Sequence, residues 1–254
     1  MNTQDFKING NYFIDLDSYV DLAGIQSLEP EIIRGIVLSK QYIEPLELGK
    51  KDALYDSEFV EPQLYIKENF VNTPEFNDLI SRGFSLRQIY DYSLFRFPVT
   101  ELGNKLLLRT YKGYSINFGR KSSAELNEDQ PCYSHFPGLK KWIEDSNIFS
   151  EVGRIIIFVN SKGSCTPVHC DYQNLESRKD QFIWINLSKR KPFFILDSDF
   201  QKQYVTGQIN TFDNATWHGS DPVNHACFTM RIDGHFSREF LNKTGLYEHF
   251  NQNS

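Results

Sequence analysis

The sequence predicts a mainly β protein of α+β class, in which a helical N-terminal part packs on an antiparallel β sandwich or barrel. The first observation is a change of texture after Gly153. Short apolar or aromatic runs then recur between turn-forming residues, at 154–160, 166–171, 181–188, 192–197, 204–212 and 227–234. The second is the aromatic share of 15%, with 21 Phe and 13 Tyr, which favours strands. The third is helical spacing upstream. Thr73-Pro74 reads as an N-cap followed by the first helical residue, and Phe76, Leu79 and Ile80 follow at helical intervals.

Each N-terminal element has its own signal. Leu86, Ile89 and Tyr90 suggest a further helix after Gly83, and residues 105–111 and 114–120 form a hairpin pattern around Lys112-Gly113. Residues 137–149 read as a helix with Leu139, Trp142, Ile143 and Ile148 as its apolar stripe. Trp142 fits a core anchor better than a ligand platform. The run 32–38 fits helix or strand equally. The 254 residues suit one domain: a helix-rich part with a hairpin over 1–150, a β core over 151–240, and a C-terminal tail over 241–254.

Composition narrows the function. A net charge of −6 disfavours general binding to phosphate backbones, so nucleic acid is not an expected partner. The short basic runs Lys140-Lys141 and Lys189-Arg190-Lys191 read as solvated turns or helix faces. No apolar run approaches the roughly 20 residues that span a bilayer, and Met1 to Asp5 carry no basic-then-apolar leader. The four cysteines show no CxxC spacing, which points to a reducing, cytoplasmic setting without structural zinc.

The chemistry-bearing residues lie in the β-rich half. His169-Cys170-Asp171 falls in a predicted strand, where residues two apart share a face. One imidazole and one carboxylate then project together, and Cys170 faces the other way. Such a pair alone is weak evidence: with 33 acidic residues in 254, a given His has roughly one chance in eight of an acid two positions on. A third ligand must come from elsewhere, and His218 in Asp213-Asn214-Ala215-Thr216-Trp217-His218-Gly219-Ser220 is the candidate. Two His and one carboxylate on one face of a metal leave positions open, an arrangement suited to Fe(II).

Arg231 strengthens the pattern. Strand alternation puts it on one face with Cys227 and Thr229, so it is expected as a buried cation lacking a partner. A dicarboxylate gripped by its two-donor fork would compensate it. A turn centred on Asn224-His225 would set His218 and Arg231 opposite each other on antiparallel neighbours.

The runs TPVHCDY, ATWHGS and CFTMRIDG resemble the His-x-Asp…His…Arg signature of the Fe(II)/2-oxoglutarate dioxygenase superfamily. The resemblance covers about the last 100 residues, from Gly153 to Phe236. It implies a double-stranded β-helix, a jelly-roll or cupin-like barrel. It also implies Fe(II) held by His169, Asp171 and His218, and 2-oxoglutarate held through its distal carboxylate by Arg231. The protein would supply no catalytic group beyond the metal ligands. The implied activity is hydroxylation or a related oxidation, with succinate and CO₂ as co-products. Halogenating relatives lack the carboxylate that Asp171 provides here.

Asn186 has two readings of equal weight: a second polar contact to 2-oxoglutarate, or a strand-end Asn satisfying backbone groups. Among the other histidines, His225 reads as turn surface, His135 as a helix start, and His249 as tail. His235 is a decoy for His218 that comes too late to leave a following Arg strand. The expected substrate is an amino-acid side chain, free or in a peptide or protein, or a small metabolite. Tyr114, Arg120 and Tyr172 are its candidate contacts by polarity alone. Two rival readings stay open: a cupin-type metalloenzyme not using 2-oxoglutarate, and a non-catalytic barrel that binds sugars, peptides or a partner. The sequence leaves the oligomeric state unread.

Overall fold

Strands dominate the computed structural model, which describes residues 7–45, 74–82, 103–111, 127–166, 181–187, 191–198 and 201–251. Among them are eleven strands: β1 Phe13–Asp15, β2 Ile43–Pro45, β3 Asn104–Tyr111, β4 Asn127–Asp129, β5 Phe149–Asn160 and β6 Phe182–Asn186. After these come β7 Phe193–Leu196, β8 Lys202–Tyr204, β9 Ile209–Phe212, β10 His218–Ser220 and β11 Cys227–Phe236. The large sheet runs β1-β9-β6-β11-β5-β3-β2, with β4 also on β3, and the small sheet runs β10-β7-β8. Every pairing is antiparallel.

Strand alternation builds two cores from one sheet. In β6, Ile183 and Ile185 join the larger core, whereas Phe182 and Trp184 join a second cluster with Phe193, Ile195, Val205 and Phe212. The second cluster mixes residues of both sheets, so the sheets face each other across it. All five residues of β6 are therefore buried, and its sequence reads as an unbroken apolar run ending in Asn.

Helices cover the other face: α1 Leu22–Ser27, α2 Glu29–Leu38, α4 Pro137–Asp145, α5 Arg238–Thr244 and α6 Tyr247–Asn251, while α3 is Pro74–Ser81. Ile25, Ile32, Ile36, Leu139, Trp142, Ile143, Phe240, Leu241, Leu246 and Phe250 pack there with Ile155, Ile157, Met230 and Ile232. Local chemistry fixes the ends. Asp21 caps α1 by accepting from the Gly24 N–H, and Ser237 caps α5 by accepting from the Phe240 N–H. Glu31 of α2 accepts from the Gly138 and Leu139 N–H groups at 3.0 and 2.9 Å, which joins α2 to the first turn of α4. The Trp142 Nε1–H donates to the Asp21 carbonyl at 3.0 Å, as suits a core anchor.

The elements depart from the sequence expectations at several places. The run 32–38 is helical. The helix expected over 137–149 stops at Asp145; Asn147 takes a positive φ of 53° and β5 starts at Phe149. The run 204–212 is two strands in different sheets, because the chain crosses the sandwich after Tyr204. The residues expected as a tail include α6, whose Phe250 is buried with Leu246 in the larger core. Strand 105–111 is present as β3. Its proposed partner 114–120, the helix around Leu86 and most of the strand 166–171 lie outside the described residues.

Candidate metal and anion site

Residues on the inner face of the large sheet form rows set by strand register. Arg231 on β11 lies between Trp184 on β6 and Ile156 on β5; Thr229 lies between Asn186 and Phe158; Cys227 lies beside Asn160. Facing them across the aromatic cluster is β10, which begins at His218.

His218 is buried, with 4% of its surface exposed. Its ring packs against Phe193 and Phe212, centroids 5.7 and 5.3 Å away. Its Nδ1 lies 2.8 Å from the Thr216 carbonyl. A carbonyl only accepts, so Nδ1 carries a proton, and Nε2 is the nitrogen that a metal would take. His235, by contrast, is exposed on β11.

Arg231 is buried as expected, but its setting corrects two expectations. It is not opposite His218 on a neighbouring strand: β10 pairs with β7, whereas β11 pairs with β5 and β6. The two residues approach across the sandwich, through aromatic rings. The Arg231 guanidinium lies 4.0 Å from the Phe182 centroid, Phe182 meets Phe212 edge-on at 4.9 Å, and Phe212 meets His218. Nor is Arg231 a lone cation. Its Nε donates to Asp233 Oδ1 at 2.7 Å, while Arg154 Nε donates to Asp233 Oδ2 at 2.8 Å. Two residues along a strand share a face, so Asp233 reaches Arg231 from its own strand.

Asn186 ends β6 on the inner face. Its Oδ1 accepts from the Lys191 backbone N–H at 3.2 Å, which is the strand-end role. Lys191 itself overturns the expectation of a solvated turn, for it is 4% exposed. Its ammonium donates to Thr166 Oγ1 at 2.7 Å and Asn160 Oδ1 at 3.1 Å. Burial lowers its pKa to about 8, opposed in part by the neighbouring Cys227 and Cys165 thiols. The signal missed in the sequence was position: Lys191 stands immediately before Pro192 and an apolar strand.

Thr166 is also joined to β10, since the Ser220 N–H donates to its carbonyl and its own N–H donates to Ser220 Oγ, both at 2.8 Å. His169 and Asp171 lie outside the described residues, as do Tyr114, Arg120 and Tyr172. Among the described residues no three His, Cys, Asp or Glu side chains stand together as a metal site, and no helix is long and apolar enough to cross a membrane.

No protein-family model matches the chain, and no curated protein matches it. It is similar to a Pseudomonas putida prolyl-4-hydroxylase at 7% identity and TM-score 0.41, over 90% of this chain and 95% of that one. A Trichoplax adhaerens prolyl hydroxylase, solved with a hypoxia-inducible-factor peptide fragment, aligns at 10% identity and TM-score 0.38, over 94% and 88%. A 2OG-Fe(II) oxygenase family oxidoreductase from Burkholderia pseudomallei aligns at 11% identity and TM-score 0.35, over 56% and 74%. At these TM-scores the likenesses decide nothing about chemistry, which rests on the strand order and the inner-face side chains.

Proposed function

We propose that the chain is an Fe(II)- and 2-oxoglutarate-dependent oxygenase built on a double-stranded β-helix. The substrate we assign is an amino-acid side chain, free or in a peptide or protein, or a small metabolite. The observation that carries this reading is the inner face itself: a buried His, its Nδ1 held by a backbone carbonyl, faces buried cations across an aromatic wall. The topology supports it. The connections from β6 to β7, from β8 to β9, from β9 to β10 and from β10 to β11 each pass from one sheet to the other, as the winding of a double-stranded β-helix requires.

His169, Asp171 and His218 would hold the iron. His169 stands three positions after Thr166, whose backbone is bonded to Ser220 two residues beyond His218. The donor set of two imidazoles and a carboxylate fits Fe(II) with positions left for ligands. The Thr229 hydroxyl, fully buried on this face and with no hydrogen-bond partner, fits a polar guest. Bound iron and 2-oxoglutarate would activate O₂ for C–H hydroxylation, one oxygen atom going to succinate, released with CO₂, and the other to the substrate.

The chain's own residues position and exclude. Thr216 orients the His218 ring. Phe182, Phe193 and Phe212 keep water from the space beside it. Arg231, held by Asp233 and stacked on Phe182, is the signature's cation for the distal carboxylate, and Asn186 is a second contact to the same molecule. Anaerobic titration with Fe(II) and 2-oxoglutarate, read by the weak visible charge-transfer band, tests the assignment. One band-forming site per chain is expected. It should vanish in His169→Ala, Asp171→Ala and His218→Ala with the fold retained, and an undiminished band in those variants would sink the triad.

A further inference from the structure

The inner face carries a second cation pole that the oxygenase reading leaves unused. Lys191 is nine-tenths or more buried, yet both side-chain acceptors of its ammonium, Thr166 Oγ1 and Asn160 Oδ1, are neutral oxygens. An ammonium has three N–H donors, and two are accounted for. Burying a cation among neutral groups is unfavourable unless an anion joins it. Nearby, the Thr229 hydroxyl is fully buried and makes no hydrogen bond. Thr229 lies two residues from Cys227 on the same face of β11. Cys227 is the register partner of Asn160, which Lys191 touches. Asn186, the register partner of Thr229, accepts from the Lys191 backbone. An ammonium and an orphan hydroxyl thus border one stretch of inner face. Arg231 lies one row beyond Thr229, with Asp233 already at its Nε.

We infer that Lys191 and Thr229 form a carboxylate-binding subsite on the inner face, separate from Arg231. The inference rests on the oxygenase reading only for the identity of the guest. The carboxylate is one belonging to the substrate to be oxidised, Arg231 being the cation for the distal group of 2-oxoglutarate. The ammonium pairs with it and the Thr229 hydroxyl donates to it.

Calorimetric titration and thermal shift of the full chain test this with Lys191→Met and Thr229→Val, alongside Arg231→Lys. The first arm uses 2-oxoglutarate. The second uses a panel of free amino acids and dicarboxylates in protein saturated with 2-oxoglutarate. A dissociation constant raised roughly tenfold or more in Lys191→Met, and about three- to tenfold in Thr229→Val, is expected in the second arm. A response in the second arm assigns the subsite to the substrate, whereas one in the first arm would move the cosubstrate clamp to Lys191 and overturn that assignment. Thr229→Val should also leave the ligand-free protein as stable as the wild type or more so, because it removes an unsatisfied buried hydroxyl, whereas a structural hydroxyl would be missed. Unaltered binding in the second arm for both variants overturns the subsite. If the wild-type chain binds no 2-oxoglutarate, the oxygenase reading fails, and the panel without cosubstrate then tests the subsite by itself.

Discussion

Lys191→Met should flatten the dependence of stability on pH, and the size of the effect follows from where Lys191 sits. Burial lowers the ammonium from its ordinary 10.5 to about 8. Below pH 8 both the folded and unfolded chains carry the proton, so folding bears the full cost of burying the charge. Between about 8 and 10.5 the unfolded chain holds a proton that the folded chain has released, so stability rises with pH across that window. Integrated from pH 7 to pH 9, the gain is about 1 kcal/mol, or roughly 2–4 °C in Tm for a chain of this size. The buried thiols of Cys132 and Cys227, raised above their ordinary value, act in the opposite sense above about pH 9 in both proteins. The comparison therefore belongs at pH 7 to 9, by urea unfolding of wild type and Lys191→Met in the absence of metal and 2-oxoglutarate. Wild type should gain about 1 kcal/mol over that range and the variant should not. Parallel pH curves would refute the buried, anion-free ammonium, and with it the reason to place a carboxylate there.

Other expectations follow from the same structure. Asp233→Asn removes the carboxylate shared by two buried guanidinium groups and should destabilise by about 3–5 kcal/mol, read by urea unfolding. Arg231→Lys keeps the charge but loses the planar fork, so if Arg231 is the clamp its apparent 2-oxoglutarate constant should rise before metal affinity changes; an unchanged constant would move the clamp elsewhere. Gly35→Ala would gain about 1 kcal/mol of helix propensity, but its Cβ would overlap the Phe136 ring. Overpacking of about 1–3 kcal/mol outweighs that gain, so Tm should fall. With Asp171 in place, products made in chloride buffer should be hydroxylated; a chlorine isotope pattern in the main product would overturn that expectation.

The fold was most legible where one physical signal dominated. β6 and β7 are unbroken apolar runs because both their faces are covered, and β11 is recognisable through its alternation. Legibility failed where tertiary contacts decide. The run 204–212 has a strand's composition throughout, yet its two ends belong to different sheets. Gly207 permits that crossing, because a Cβ there would strike the Asp15 carboxylate. β10 and the edge strands β1 and β2 are three residues each, too short for any periodicity to register. The helix beginning at Pro137 was expected to run to 149 because Ile148 extends its stripe. Ile148 is indeed buried, but it reaches the core after the turn at Asn147 and not from a helix.

The candidate site shows the same division at the level of single side chains. His218 and Arg231 could be singled out as inner-face residues because motif spacing and strand alternation leave a regular pattern. What the spacing could not reveal is which partner each residue meets. Asp233 stands two residues after Arg231, so by alternation alone it was available as a partner on the same face. Whether an internal carboxylate also reaches Arg231 depends on side-chain packing that spacing does not reveal, and Asp233 takes the Arg231 Nε. Lys191 was hidden for the opposite reason. In the run Lys189-Arg190-Lys191 a solvated turn is the ordinary reading of three adjacent charges. Yet the chain must cross from β6 in one sheet to β7 in the other within a few residues. A residue at the end of such a crossing sits at the seam of the sandwich, whatever its polarity. A lysine placed there is costly to fold, and that cost makes sense when the seam receives a negatively charged guest.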